Sequence, residues 1–160
     1  MKTLFIIFSL LSIVLEDIPS KISKQNETIP IIGIRVLPLV KATLNGKEIY
    51  LLIASGSTST VLDIGSMRKM GFGTFGATGA QEVVGIGGKK KVSYVHSAKL
   101  YLGNIKINNS LIAVDLKDLI GYIKRKTSYR ISGILGTDTM RTYNVIIDYG
   151  NEVCVIGMID

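Results

Sequence analysis

Apolar and polar positions alternate along most of this chain with a period near two, the signature of β-strands with one face buried. Strand-like runs cover Ile31 to Val36 and Leu39 to Leu44, with Pro30 and Pro38 marking edges or bends. Asn45-Gly46 is a two-residue hairpin signal and leads into Glu48 to Ile53. Val61 to Asp63 continues as strand, and Ile64 to Met70 reads as a short helix. Gln81 to Ile86 and Lys91 to Leu102 read as the arms of a long hairpin with a glycine-rich tip. Gly103-Asn104 turns the chain into a strand ending at Asp115. Leu116 to Ile120 has helical character, and Gly121 to Arg130 reads as a polar, basic loop. Ile131 to Gly136 is strand-like and runs into a helix that Thr137 or Asp138 opens as cap or first-turn residue. Tyr143 to Tyr149 and Glu152 to Ile156, joined at Gly150-Asn151, complete an all-β reading.

The N-terminal segment breaks this period. Met1 and Lys2 precede Thr3 to Leu15, thirteen nearly all apolar residues. A positive start before such a run reads as an export signal, and the run is short for a membrane span of about 20 residues. The expected organisation is a signal segment at 1–20, a flexible lead-in at 21–30 and one domain at 31–157. The chain is then exported: periplasmic, secreted, or held at a membrane by an uncleaved segment. An N-terminal core helix is the alternative.

A chain of 160 residues with 47% apolar and 19% charged positions supports one globular domain with a substantial core. Its single cysteine, Cys154, excludes an internal disulfide and lies in an apolar run suited to a core thiol. The net charge of +7 draws on two clusters, Lys89-Lys90-Lys91 and Lys124-Arg125-Lys126. Their brevity and the lack of an aromatic platform argue against nucleic acid and for solvated loop tips. Gly71 to Gly76 spells GxGxxG, yet follows a helix and precedes a strand, the reverse of a dinucleotide site. His96, the one histidine, falls on the mainly apolar side of Val92, Tyr94, Ala98 and Leu100, which predicts a buried or interface residue.

The chemistry concentrates in Leu51-Leu52-Ile53-Ala54-Ser55-Gly56-Ser57-Thr58-Ser59-Thr60-Val61-Leu62-Asp63. Two buried-type strands flank a small hydroxyl-rich loop, where Gly56 is expected to let the backbone turn without a side-chain clash. A later stretch, Gly133-Ile134-Leu135-Gly136-Thr137-Asp138, echoes it. Both stretches, in this order, closely resemble the two signatures of retropepsin-like aspartic proteases. In that family the early loop reads Asp-Thr-Gly or Asp-Ser-Gly; here it reads Ala54-Ser55-Gly56.

The resemblance covers about residues 31–157 and implies a single-lobe closed β-barrel or sandwich with a flap hairpin and one or two short helices. It places Ala54 where the catalytic aspartate belongs, Ser55, Gly56 and Ser57 in the active-site loop, and Gly85, Ile86, Gly87 and Gly88 in the substrate-covering flap. Leu135, Gly136 and Asp138 belong to the structural second motif. The implied assembly is a homodimer, or a heterodimer with an Asp-bearing paralogue, around a peptide in extended conformation, with no cofactor and no metal. With alanine at 54, a homodimer lacks both carboxylates, so the chain as written is expected to be inactive. A natural pseudoprotease and an enzyme whose aspartate was replaced both fit this sequence. A peptide-binding module and a purely structural β-domain are the non-catalytic alternatives.

Overall fold

A computed structural model of the chain describes residues 26–76, 82–85 and 88–157, with backbone alone at 82–85, 88 and 89. The expected signal segment and the Ile86-Gly87 tip lie outside the described residues. The strands are β1 (Asn26–Ile32), β2 (Leu39–Leu44), β3 (Lys47–Ile53), β4 (Val61–Asp63), β5 (Gly73–Phe75), β6 (Glu82–Gly85), β7 (Gly88–Lys91), β8 (Ser93–His96), β9 (Leu100–Leu102), β10 (Ile105–Ile107), β11 (Ile112–Val114), β12 (Gly133–Leu135), β13 (Ile146–Asp148) and β14 (Val153–Gly157). The helices are α1 (Met67–Met70), α2 (Lys117–Thr127) and α3 (Thr137–Thr142).

The all-β class is built as a 12-stranded mixed sheet in the order β13-β14-β1-β2-β3-β12-β4-β11-β8-β5, with β9 on β2 and β10 on β9. Among the described residues this path does not close by hydrogen bonds, so the sheet is open where the resemblance implied a closed barrel. β6 and β7 form a separate two-stranded hairpin.

The apolar runs are continuous at the centre because the sheet there is covered on both faces. Ile49, Leu51, Ile53, Leu62 and Leu135 belong to one buried cluster. The neighbouring Leu52, Val61 and Ile134 belong to the other, which packs under α2 through Leu116, Ile120 and Ile123. Leu51, Leu62 and Leu135 are wholly buried, and truncating any of them to alanine costs about 2–5 kcal/mol.

Asn45-Gly46 makes the expected hairpin, both residues having positive φ (50° and 78°). The Asn45 amide does more than turn the chain. It donates to the carbonyls of Met70, Gly71 and Ser97 at 2.9–3.0 Å and accepts from the Lys99 N–H at 2.8 Å, tying three loops together.

Several expectations change. β1 begins at Asn26 and pairs with β14 from Asn26↔Gly157 to Pro30↔Val153, so strand already starts inside the polar lead-in, while Gly33 to Val36 turns. Residues 117–127, read partly as loop, form α2; Leu116, Ile120 and Ile123 recur at helical spacing, which outweighs Gly121. The long arm from Lys91 to Leu102 is broken at Ser97 (φ 59°) into β8 and β9, which join different neighbours. As expected, Gly71 ends α1, in the left-handed region, and Gly73 opens β5, the reverse of the order in a dinucleotide site.

Candidate functional site

β3 and β12 run parallel, with Ile53 opposite Leu135, so the two signature stretches end side by side. The Ala54 N–H donates to the Leu135 carbonyl at 3.1 Å, extending the ladder by one bond. The chain then turns, and the Ser57 N–H returns to the Ala54 carbonyl at 3.0 Å. The Ser57 hydroxyl donates to the Ser59 carbonyl at 2.8 Å. The Ser57 carbonyl accepts from the N–H of Thr137 at 2.8 Å and from its hydroxyl at 3.1 Å. The loop therefore hangs from the first turn of α3.

Thr60, fully buried, is the hub beneath it. Its Oγ1 donates to Asp138 Oδ1 at 2.7 Å, accepts from the Gly136 N–H at 3.1 Å, and lies 2.7 Å from Thr139 Oγ1. An ionised carboxylate only accepts, so the Thr60 proton goes to Asp138 and the Thr139 hydroxyl donates to Thr60. Asp138 Oδ1 also accepts the Thr139 N–H at 2.7 Å. Asp138 is thus a structural brace in the first turn of α3, whose cap position is Gly136. A Cβ at Gly136 would lie 2.3 Å from the Ser59 carbonyl carbon and oxygen, so only glycine lets the two stretches approach this closely.

At the loop tip the picture differs. Ala54 and Ser57 are half-buried, and Ser55 and Gly56 are exposed. Gly56 has an ordinary φ, and a Cβ there would meet nothing within 4 Å. The expected clash is absent: among the described residues of one chain, nothing crowds this position.

The remaining sequence candidates sit elsewhere. Gly85 and Gly88 face each other as the last pair of the β6–β7 hairpin. Asp63 is buried but lies at the other end of β4, where its N–H meets the Ser132 carbonyl and its Oδ1 accepts the Leu116 N–H at 3.3 Å. His96 is exposed, contrary to the alternation: Val92 and Ser93 are both buried, so the phase shifts there and Tyr94 and His96 share the outer face of β8. Its ring lies across Gly73, and Nδ1 is 3.0 Å from Ser97 Oγ. Cys154 is buried, and burial pushes its thiol up to about 11, which makes it inert at neutral pH. Two hollows of about 300 and about 490 Å³ open at Val95–Ala98 with Lys106–Leu111, and at Tyr50 with Tyr129 and Arg130; neither borders Ala54. Among the described residues no three of His, Cys, Asp and Glu gather as a metal-ligand set.

The sequence singled out the loop and the Leu135-Gly136-Asp138 motif but missed the Thr60–Thr139 pair that joins them. Its signal was there: hydroxyl residues follow each signature, at 57–60 and at 137 and 139.

Residues 40–139 match the family described as Aspartyl protease. The fold is similar to a retropepsin-like aspartic protease from Rickettsia conorii, with TM-score 0.54 and 15% identity over 85% of this chain and 94% of that one. Likeness also extends to the retroviral protease-like domain of Ddi1 from Leishmania major (TM-score 0.48, 14% identity, 70% and 81% covered). The EIAV protease complexed with the inhibitor HBY-793 gives TM-score 0.46 and 15% identity, with 66% and 86% covered. No curated protein sequence matches significantly. The matched span exceeds half of the chain and holds both braced stretches, Ala54–Ser57 and Leu135–Asp138: the chain, retropepsin-like in fold, belongs to the aspartyl protease family.

Proposed function

We propose that this chain is an exported aspartyl-protease-type lobe that pairs into a twofold dimer and holds an extended peptide under the β6–β7 flap without cleaving it. The observation that carries this reading is a complete scaffold around an absent group. Ala54 sits at the end of β3 with its loop braced by Thr60, Gly136, Thr137 and Asp138, yet its side chain is a methyl.

Peptide hydrolysis of the aspartic type needs two carboxylates around one water. Like charges that close do not both ionise, so the pair shares a proton; one oxygen activates the water and the other acid protonates the leaving group. A methyl at 54 supplies neither base, acid nor anchor for the water. Asp138 is no substitute, since its Oδ1 is committed to Thr60 and Thr139. The lack of crowding at Gly56 and the exposure of Ser55 support approach by a second copy at the loop tip. The flap hairpin, separate from the main sheet, offers strand edges for pairing with an extended ligand.

The test compares the chain with its Ala54→Asp variant on a mixed peptide library from acid to neutral pH, with sedimentation to read assembly. The expected outcome is no turnover by the chain, peptide binding without cleavage, and cleavage by Ala54→Asp that active-site-directed transition-state analogues block. Cleavage by the Ala54 chain itself refutes the assignment of position 54. Failure of both forms to cleave or bind any peptide refutes the cleft and leaves a structural β-domain.

A further inference from the structure

The first basic cluster, through Lys90, reaches the N-terminal end of the helix that carries the second, Lys124-Arg125-Lys126. Lys90 Nζ of β7 lies 3.8 Å from Asp118 Oδ2 of α2, and Val92, just after β7, packs in the cluster under α2 with Leu116, Ile120 and Ile123. The outward side of α2 carries Lys117, Lys124, Arg125 and Lys126, all exposed, with Tyr122 47% exposed among them. Its acids, Asp118 and the preceding Asp115, both stand at the N-terminal end. Asp118 faces Lys90, and Asp115 accepts the Lys117 N–H. The C-terminal half of the helix has no acid and, among the described residues, none of its cations has an acidic partner.

We infer that this β7–α2 face is a docking surface for an anionic phospholipid membrane. Charge complementarity carries the partner class: beyond the Lys90–Asp118 pair, the exposed Lys124, Arg125 and Lys126 have no acidic partner among the described residues, at a net chain charge of +7. The form of the surface narrows it further. No residue of α2 or β7 lines either hollow, so the face suits a broad surface rather than a small ligand. The apolar side of α2 is spent on the core, so contact is electrostatic, with Tyr122 as an amphipathic ring at headgroup level. A nucleic acid would find a single exposed aromatic on α2 and no stacking series. The inference does not depend on position 54 or on any cleavage.

The test uses the full chain, so that any contribution of the apolar N-terminal run is common to all samples. Co-sedimentation is measured with vesicles of phosphatidylcholine alone and of equal parts phosphatidylcholine and phosphatidylglycerol. The chain is compared with the triple variant Lys124→Gln, Arg125→Gln, Lys126→Gln and with Lys106→Gln, an exposed change on β10. Circular dichroism checks that each variant is folded. Each basic residue near an acidic surface strengthens partitioning roughly fivefold, so the triple variant loses about a hundredfold on acidic vesicles. Lys106→Gln keeps its binding. Raising salt from about 0.1 M to about 1 M shortens the screening length from about 10 to about 3 Å and releases the chain. Equal binding of chain and triple variant overturns the inference, as does equal binding to neutral and acidic vesicles. So does a single-stranded oligonucleotide that strips the chain from acidic vesicles at matched phosphate concentration, which would reassign the face to nucleic acid.

Discussion

Replacing Thr60 by valine keeps the shape of the side chain and removes only its hydroxyl. Three bonds depend on that oxygen: the one given to Asp138, the one taken from Gly136, and the one shared with Thr139. The Gly136 N–H is buried and would lose its acceptor, at about 1–3 kcal/mol. The bond to the Asp138 carboxylate adds about 1.5–3 kcal/mol, taken at its low end because Asp138 is half-buried. The sum, about 3–4 kcal/mol, is a large share of a total stability of about 5–15 kcal/mol. At about 2–4 °C per kcal/mol for a chain of this size, Tm falls by roughly 10 °C. Thr60→Ser keeps every bond and loses one methyl, at about 1 kcal/mol. Urea unfolding followed by circular dichroism reads both, with the slope unchanged. A Thr60→Val protein within about 0.5 kcal/mol of the parent, or Thr60→Ser as damaging as Thr60→Val, would refute the hub.

Two glycines separate folding from assembly. Gly136→Ala drives a Cβ into the Ser59 backbone and is expected to cost more than about 3 kcal/mol or abolish folding, read by the same unfolding curves. Gly56→Ala meets open space and should leave the unfolding of a single chain within about 0.5 kcal/mol; if loop tips face each other in a dimer, sedimentation will show weaker association at unchanged fold. Cys154 supplies a pH signature. Burial favours its neutral thiol and raises its pKa from 9.0 to about 11, so the contribution is full below pH 9 and is lost as pH rises through about 11. Subtracting the stability–pH curve of Cys154→Ala from that of the parent should leave a decline over that window, and thiol reagents should react with the native chain only on unfolding. A flat difference curve would contradict the burial of the thiol.

Strand periodicity, the Asn45-Gly46 turn and the two signature stretches, Ala54–Ser57 and Leu135–Asp138, were legible because each depends on local pattern or on short motifs; that the two stretches pair came from the structure. α2 was harder: its buried stripe is short, and Gly121 with the basic run beside it imitates a loop. His96 was misplaced because alternation was carried through Val92 and Ser93, which are both buried; the phase shifts there and leaves Tyr94 and His96 on the outer face of β8. The meeting of Lys90 with Asp118 is a tertiary fact that no spacing in the sequence encodes. At the centre, the same limit explains why Gly136 and Gly56 look alike in sequence and differ in space. Gly136 is demanded by the backbone of Ser59 within one chain, whereas among the described residues nothing demands Gly56. Gly56 is therefore a signature residue that the described residues of one lobe do not require. On the proposed reading, position 54 answers to a reaction that a methyl does not support, and position 56 to a second copy opposite it. The brace of Thr60, Gly136 and Asp138 answers to folding alone, so it remains complete around position 54 although no carboxylate is there.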